Sequence, residues 1–185
     1  MIYDELSEEA KDQAIEELAD INVGYDWWES EVEFVRGEWL EKYGIDFEPD
    51  GLCFDLSYSR QLYFTRGKIW VDDPRRLLAA MPGGASILLE LIFSDNEDNE
   101  FPFGFGFETY YHGGGNGRTA LQLTDYRDAE APEELPFDEG EWFEDLCKDF
   151  WRALEKEWEC LTSREAIEDT IRANEFQFSE DGKLD

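Results

Sequence analysis

Basic side chains are scarce in this sequence. Its 185 residues include 16 Lys and Arg and one His, against 47 Asp and Glu, which gives a formal net charge of −31 at pH 7. Nucleic-acid binders need a basic footprint and anionic membranes repel acidic proteins, so the composition argues against direct binding to either. The charge also far exceeds the roughly −2 to −8 that keeps a small domain soluble, and its self-repulsion opposes compaction.

Cysteine, histidine and long apolar runs are also in short supply. Cys53, Cys147 and Cys160 form no CxxC pair, and a single histidine makes a zinc site unfavourable. The odd number and wide spacing of the cysteines indicate reduced thiols in a cytosol-like compartment. The longest apolar run, Ile87–Phe93, contains a glutamate and is far shorter than a membrane span of about 18 residues. We therefore expect a cytoplasmic protein with no signal peptide, metal ion or cofactor.

Three motifs that resemble catalytic or binding sites lack essential residues. The segment His112–Gly115 resembles an esterase oxyanion-hole sequence, but the chain has no G-x-S-x-G and no second histidine. The same loop departs from the P-loop pattern at His112 and at Arg118. A calcium loop that starts at Asp95 would need a glycine where Glu100 stands. We therefore expect a protein that is not an enzyme.

Aromatic and apolar residues, in contrast, are plentiful. Hydrophobic residues make up 42% of the chain and aromatic residues 16%, including 7 Trp and 14 Phe. A chain of this composition can bury a substantial core, so the acidic side chains must lie on the outside of a folded object. The length predicts a single domain over residues 1–185.

The pattern along the chain predicts an α+β fold, in which a mostly antiparallel sheet from the middle is packed by acidic amphipathic helices from the N- and C-terminal ends. We expect residues 1–44 to be helical, 45–127 to be rich in sheet and 137–175 to be helical.

Two helices are expected near the N-terminus. Ser7 precedes a stripe of apolar residues that recur every four positions, namely Leu6, Ala10, Ala14 and Leu18. Asp26 is the expected cap of a second helix that ends at Gly44. Its expected buried face consists of Trp28, Val32, Val35 and Trp39.

The pattern in the middle of the chain predicts mainly strands. Residues from Leu52 to Ser57 alternate between apolar and polar, and Tyr63–Val71 is a second extended stretch with a turn at Arg66–Gly67. Pro74 opens a short helix that runs to Met81. The expected central strand is Ser86–Phe93, and a strand pair follows at Phe101–Tyr111 and Thr119–Tyr126.

A long helix is expected near the C-terminus. Its apolar stripe includes Phe143, Cys147, Phe150 and Leu154. Thr162–Glu165 has the spacing of a capping box and is expected to start a further helix, from Ser163 to about Asn174. Phe176 and Phe178 then indicate a short strand or a docked tail.

Acids on helices can imitate a nucleic-acid backbone. A helix rises about 1.5 Å per residue, so acids three or four positions apart on one face repeat at about 5–6 Å. Phosphates along a DNA strand are also several ångströms apart, and 31 negative charges equal those of about 15 base pairs. The alternative is that the acids form only a solvated face. If mimicry is right, the expected contact residues are exposed acids of the terminal helices: Glu29, Glu33, Glu41, Glu141, Glu144, Asp145, Asp149 and Glu155.

Both ends of the chain resemble a group of small, acidic phage-encoded proteins of unknown function. The matching segments are Tyr3–Ala10, Asp20–Val23, Tyr25–Trp28, Glu157–Ser163 and Ala173–Phe176. The resemblance implies a viral gene expressed in a bacterial cytoplasm and assigns no functional residue. In charge, although not in motif, the chain is similar to DNA-mimicking anti-restriction and anti-CRISPR proteins.

Together these features predict an inhibitor that binds the basic nucleic-acid groove of a host defence complex, either a CRISPR effector or a restriction system. The second hypothesis is a protein–protein adaptor or antitoxin-like regulator that uses exposed aromatics such as Tyr110 and Tyr111. Salt distinguishes the two, because mimicry weakens steeply as ionic strength rises and aromatic docking does not. An enzymatic role is the third hypothesis and has the least support.

Overall fold

Helices and short antiparallel strand pairs make up the fold, which confirms the α+β class. The chain divides into two compact units. Unit 1 contains Met1–Ser30 and Leu154–Asp185, and unit 2 contains Glu31–Ala153. The structure is a computed structural model, and the residues that it describes are 1–57, 60–65, 68–81, 105–111, 119–125 and 139–185.

Five helices lie within the described residues. They are α1 (Glu8–Glu17), α2 (Glu29–Tyr43), α3 (Pro74–Ala80), α4 (Glu139–Leu161) and α5 (Arg164–Ala173), with short 3-10 helices at Tyr3–Glu5 and Pro49–Gly51. Unit 1 contains α1, α5 and the last turns of α4, and unit 2 contains α3 together with most of α2 and α4.

In unit 1, α1 forms where the sequence predicts it. The Ser7 side chain accepts a hydrogen bond from the backbone N–H of Ala10, 3.2 Å away, which satisfies one of the free amides of the first turn. Ala10 and Ala14 are buried, and they form one core with Ile167 and Ile171 of α5. The small alanine side chains on α1 allow the larger isoleucines to pack closely against it.

The capping of α5 corrects one sequence prediction. Ser163, not Thr162, is the N-cap, because the Ser163 hydroxyl accepts the backbone N–H of Ala166 at 3.2 Å. The Thr162 hydroxyl instead donates to the carbonyl oxygen of Trp158, at 2.8 Å, in the last turn of α4. One residue therefore separates the predicted cap from the observed one.

The end of the chain docks on its beginning. Phe178 is fully buried in the unit 1 core. Its carbonyl oxygen accepts a hydrogen bond from the N-terminal ammonium of Met1 at 2.6 Å, and its N–H donates to the Met1 carbonyl oxygen at 2.8 Å. Single β-bridges join Ile2 to Gln177 and Phe178 to Leu184. The docked tail expected from the aromatic spacing is confirmed.

The described strands of unit 2 form three two-stranded antiparallel pairs. Their bounds are β1 (Ile45–Phe47), β2 (Leu52–Asp55), β3 (Gln61–Phe64), β4 (Ile69–Val71), β5 (Phe105–Tyr111) and β6 (Thr119–Asp125). β1 pairs with β4, β2 with β3, and β5 with β6. The β5–β6 pair confirms the predicted hairpin in the part of the chain that is described.

Two strand predictions need correction. The stretch Tyr63–Val71 belongs to two strands with different partners, because β3 pairs back on β2 while β4 pairs with the more distant β1. Apolar and polar residues alternate from Leu52 to Asp55, which predicts that buried and exposed side chains alternate too. They do not, since all four residues of β2 are half-buried. The predicted turn at Arg66–Gly67 and the predicted central strand Ser86–Phe93 lie outside the described residues.

An aromatic cluster forms the core of unit 2. Trp39 of α2 packs edge-to-face on Phe143 and Phe150 of α4, with ring centroids 6.0 and 5.6 Å apart. Phe47 and Phe64 from the strands complete the cluster at 4.9 Å from each other. Edge-to-face pairs add to the stabilisation that apolar burial provides, which fixes α2 and α4 side by side.

The buried face of α2 is the predicted one, with two differences. Val32, Val35 and Trp39 are buried, while Trp28 lies before the helix and is half-buried. α2 begins at Glu29, later than a cap at Asp26 implies. Gly44 ends the helix with a φ of +64°, a conformation that glycine adopts without a Cβ penalty.

Candidate acidic binding surface

The eight predicted contact acids lie on α2 and α4. Glu29, Glu33 and Glu41 are exposed on α2. On α4, Glu141, Asp145 and Asp149 are exposed and the other two are half-buried; all eight therefore reach solvent. Six belong to unit 2, and Glu29 and Glu155 belong to unit 1.

The geometry of α4 places its predicted acids on one side of the helix. Phe143, Phe150 and Leu154 are buried on the inner side. At about 100° per residue, the five predicted acids fall within about 140° of arc on the opposite side. The same helical periodicity therefore places the aromatic residues toward the core and these carboxylates toward solvent.

A row of basic residues runs through the same face of α4. Lys148, Arg152 and Lys156 are four residues apart, so they follow one line along the helix. The Lys148 ammonium lies 3.0 Å from Asp145, and this hydrogen bond raises the pKa of Lys148. Arg152 lies 2.7 Å from Asp149. The α4 face is thus a mixed row in which ion pairs interrupt the carboxylates.

The α2 acids have different surroundings from one another. Glu33 lies 3.5 Å from Arg36, whose guanidinium is held more closely by Asp46 of β1 at 2.7 Å. The hydrogen bond to Asp46 is the main reason that the pKa of Arg36 is raised. Glu29 and Glu41 form no ion pair with any described residue and project their full charge into solvent.

A shallow groove runs between α2 and α4 in unit 2. It encloses about 160 Å³, and Val35, Trp39 and Phe150 form its floor. Phe34 stands on one rim with 63% of its surface exposed, and Asp149 stands on the other. One of the predicted acids, Asp149, therefore borders an apolar depression that the sequence did not indicate.

The highest density of charge is in unit 1. It contains 20 acidic and 5 basic residues among 62, whereas unit 2 contains 27 and 11 among 123. α1 alone has five acids and one lysine in ten residues. Glu9, Glu16 and Glu17 are exposed there and form no ion pair with a described residue.

The acids of α1 were absent from the predicted contact set. The sequence does contain a feature that points to them, because the first fifty residues hold 17 acids and only 3 bases. We therefore treat Glu9, Glu16 and Glu17 as a separate candidate surface within unit 1, the α1 surface.

Two arginines of α5 form ion pairs with acids of α5 and of the N-terminal segment. Arg164 binds Glu168 at 2.8 Å and Asp12 of α1 at 2.6 Å, while Arg172 binds Glu168 at 3.0 Å and Asp4 at 3.0 Å. The hydrogen bond from Arg164 is the main reason that the pKa of Glu168 is lowered. These pairs hold the N-terminal segment to α5.

Tyr3 completes this network. Its hydroxyl donates to Glu168 at 3.0 Å, and the Arg172 guanidinium lies 5.3 Å from the centre of its ring. Burial is the main reason that the pKa of Tyr3 is raised. Glu168 thus accepts three hydrogen bonds, and the cluster ties the N-terminal turn to α5 through one carboxylate.

The cysteines show no arrangement for metal or redox chemistry in the described part of the chain. All three thiols are free; Cys147 is buried, and burial raises its pKa. Among the described residues, no group of three or more His, Cys, Asp or Glu side chains is placed to hold a metal ion. His112 lies outside the described residues. Tyr110 and Tyr111 belong to β5, where they pair with Ala120 and Thr119.

The helices within the described ranges are all too short or too polar to cross a lipid bilayer.

Comparison with known proteins gave no relatives. A scan of protein-family models, a search of curated proteins and a search of solved structures each found no match to this chain.

Proposed function

We propose that this chain is a phage-encoded, non-enzymatic inhibitor that occupies the basic nucleic-acid groove of a host defence complex. Its exposed carboxylates would take the places of phosphates and pair with Lys and Arg of a CRISPR effector or restriction system. It would act in the cytoplasm of the bacterial host. The proposal includes a sheet from the middle of the chain covered by acidic helices from both ends.

One observation supports the proposal above the others. Among the side chains whose burial the structure describes, Asn22 is the only buried polar or charged one, so no described acid is buried. Asn22 itself is satisfied, because it donates to the Leu161 carbonyl oxygen at 3.0 Å and accepts from Thr170 at 2.8 Å. The packed cores fix the helix backbones from which these acids project, and this gives the carboxylates the defined spacing that a mimic of phosphates requires.

The two units differ in how well they fit this role. α1 presents Glu9, Glu16 and Glu17, which form no ion pair with a described residue, whereas the α4 face includes the paired cations Lys148 and Arg152. A field from concentrated acids speeds encounter with a basic groove by about 10- to 1000-fold. The α1 surface is therefore expected to steer association, and the α2 and α4 acids to make specific pairs.

Charge reversal on unit 2 tests the proposal. The variant changes Glu33, Glu41, Asp145 and Asp149 to Lys, all of them exposed positions. We expect it to keep the circular dichroism spectrum of the wild type and to lose capture of nucleic-acid-binding proteins from a bacterial lysate. A matched variant changes Glu9, Glu16 and Glu17 to Lys and should mainly slow association.

Salt and competing DNA complete the test. Captured proteins should elute as salt rises from about 50 to 200 mM, a range over which phosphate-type contacts lose about 10³- to 10⁵-fold in affinity. Duplex DNA should compete with the acidic chain for the captured protein. Capture that withstands salt, DNA and both sets of reversals would contradict mimicry.

The adaptor hypothesis is supported by two exposed aromatic side chains. Tyr25 in unit 1 has 66% of its surface exposed and Phe34 in unit 2 has 63%. An adaptor that docks through such side chains would keep its partner at high salt and lose it on aromatic substitution. The same capture experiment, repeated at high salt with Tyr25→Ser and Phe34→Ser, separates this alternative from mimicry, because only an adaptor keeps its partner at high salt and then loses it on aromatic substitution.

A further inference from the structure

The groove between α2 and α4 has a defined shape. Phe34, Glu38 and Lys42 follow one another at four-residue intervals along the α2 rim. The α4 rim includes Asp149 and Ala153, four residues apart. The floor is apolar and is held in place by the contact between Trp39 and Phe150.

The size of the groove limits what it can hold. Its volume of about 160 Å³ is below the roughly 300–1,000 Å³ of small-molecule sites. A single apolar side chain suits a depression of this size with an apolar floor.

The surroundings of the groove determine the charge of the occupant. α2 carries five acids and two bases, and α4 carries eight acids and three bases. On the rims, Glu38 pairs with Lys42 and Asp149 pairs with Arg152, so the local cations are already engaged. A segment that brings its own Lys or Arg residues is complementary to this rim, and an acidic segment is repelled.

We propose that the groove receives one apolar anchor side chain from a Lys- and Arg-rich segment of the partner protein, with Phe34 covering the anchor. The inference rests on the proposed function and identifies the part of the basic partner that is recognised. The acids attract any basic groove, whereas the anchor pocket selects among basic partners, since buried central anchors contribute more to affinity than exposed charge pairs do.

Two fluorescent peptides of 15 residues and equal positive charge test the inference. Both repeat Lys and Ala; one has Leu at its centre and the other has Ser. Their affinities for the full chain are measured by fluorescence anisotropy at about 50 and 200 mM salt. We expect the Leu peptide to bind at least about tenfold more tightly than the Ser peptide.

Variants of the chain locate the binding site. Phe34→Ser removes the cover, and Ala153→Met fills the groove with a good helix former. Each should reduce the affinity of the Leu peptide to that of the Ser peptide. Tyr25→Ser is the matched control, because Tyr25 is as exposed as Phe34 but lies in unit 1. It should leave both affinities unchanged.

The other outcomes overturn the inference in distinguishable ways. Equal affinities for the two peptides, with steep salt dependence, would exclude the anchor pocket and leave the proposed function standing. Tight binding of the Leu peptide that does not depend on salt concentration would exclude a charge-matched occupant and would count against mimicry as well. A dimer in sedimentation experiments that Phe34→Ser dissociates would assign the groove to a second copy of the chain. If neither peptide binds, the inference is wrong. The proposed function is then tested only by the capture experiment with bacterial lysate.

Discussion

The Lys148 ammonium lies 3.0 Å from a carboxylate oxygen of Asp145, one turn away on the same face of α4. A carboxylate predicted to imitate a phosphate is therefore already paired within its own helix. Arg152 and Asp149 repeat the arrangement at 2.7 Å. Exposed pairs of this kind contribute little to stability, so a partner's arginine can replace the internal cation at little cost.

Removing these internal cations should strengthen binding to a basic partner. The double variant Lys148→Gln and Arg152→Gln frees Asp145 and Asp149, and we expect several-fold faster association at low salt because the attractive field grows. The measurement is the association rate with the captured partner by surface plasmon resonance. Lys68→Gln is the control, since Lys68 pairs with Glu48 and Asp50, which are not among the proposed contact acids. Unchanged or slower association would show that the α4 face does not contact the partner.

The docked tail predicts a strong effect at one glycine. Gly182 has a φ of +84°, and a Cβ there would lie 2.1 Å from the carbonyl oxygen of Ala10 in α1. We expect Gly182→Ala to lower the free energy of unfolding by about 1–3 kcal/mol, measured by urea titration. Gly37→Ala is the opposite control: nothing lies within 4 Å of its Cβ, and in the interior of α2 it should stabilise by about 0.5–1 kcal/mol. A neutral Gly182→Ala would contradict the contact between tail and α1.

The cap of α5 predicts different effects at two neighbouring residues. Ser163→Ala removes the acceptor of the Ala166 N–H and should lower the free energy of unfolding by about 1 kcal/mol. Thr162→Ala should have a smaller effect, because its hydroxyl donates to a carbonyl oxygen at the end of α4 and caps no free amide. Thermal unfolding of the two variants side by side measures the difference, and the reverse ranking would restore Thr162 as the cap.

Glu168 should make the stability of the protein depend on pH. Because its folded-state pKa lies below the unfolded value of about 4.3, ionised Glu168 stabilises the protein at higher pH and loses this effect as pH falls through the folded pKa. We expect Glu168→Gln to lower the free energy of unfolding by about 1–2 kcal/mol near pH 7. The gap between variant and wild type should close as pH drops below about 4.

Urea titrations across pH should follow the difference in free energy of unfolding between the Glu168→Gln variant and the wild type, and not the stability of the wild type alone. Protonation of the other acids lowers the net charge of −31 and relieves repulsion, which acts in the opposite direction. Asp169→Asn is the control, because 73% of the Asp169 side chain is exposed and its pair with Arg172 is 3.6 Å long. A gap that stays constant with pH would show that the Glu168 cluster does not titrate as a unit.

Local features could be predicted from the sequence because they depend on residues a few positions apart. The buried stripe of Ala10 and Ala14, the cap at Ser7 and the aromatic face of α4 all follow from helical periodicity and capping chemistry. The β5–β6 pair followed from two extended runs joined by a glycine-rich segment. That all eight predicted acids reach solvent followed from the same periodicity, since they lie off the apolar stripes.

Other features depended on residues far apart in the chain. The pairing of β1 with β4 brings Phe47 opposite Ile69, and no local pattern specifies that choice. The ion pairs of Arg164 with Asp12 and of Arg172 with Asp4 span more than 150 residues. Sequence spacing does not show which of many acids an arginine will meet.

By itself, the amino-acid sequence determined which segments form helices, which of their sides are apolar and how much negative charge the surface carries. These properties follow from interactions within a turn or two of the helix and from composition. Only the tertiary structure decided that Arg164 and Arg172 bind acids near the N-terminus and that Phe34 stands over a groove beside Trp39. Contacts of this kind form when distant segments bury apolar surface together, and that burial depends on the packed shape of the whole unit.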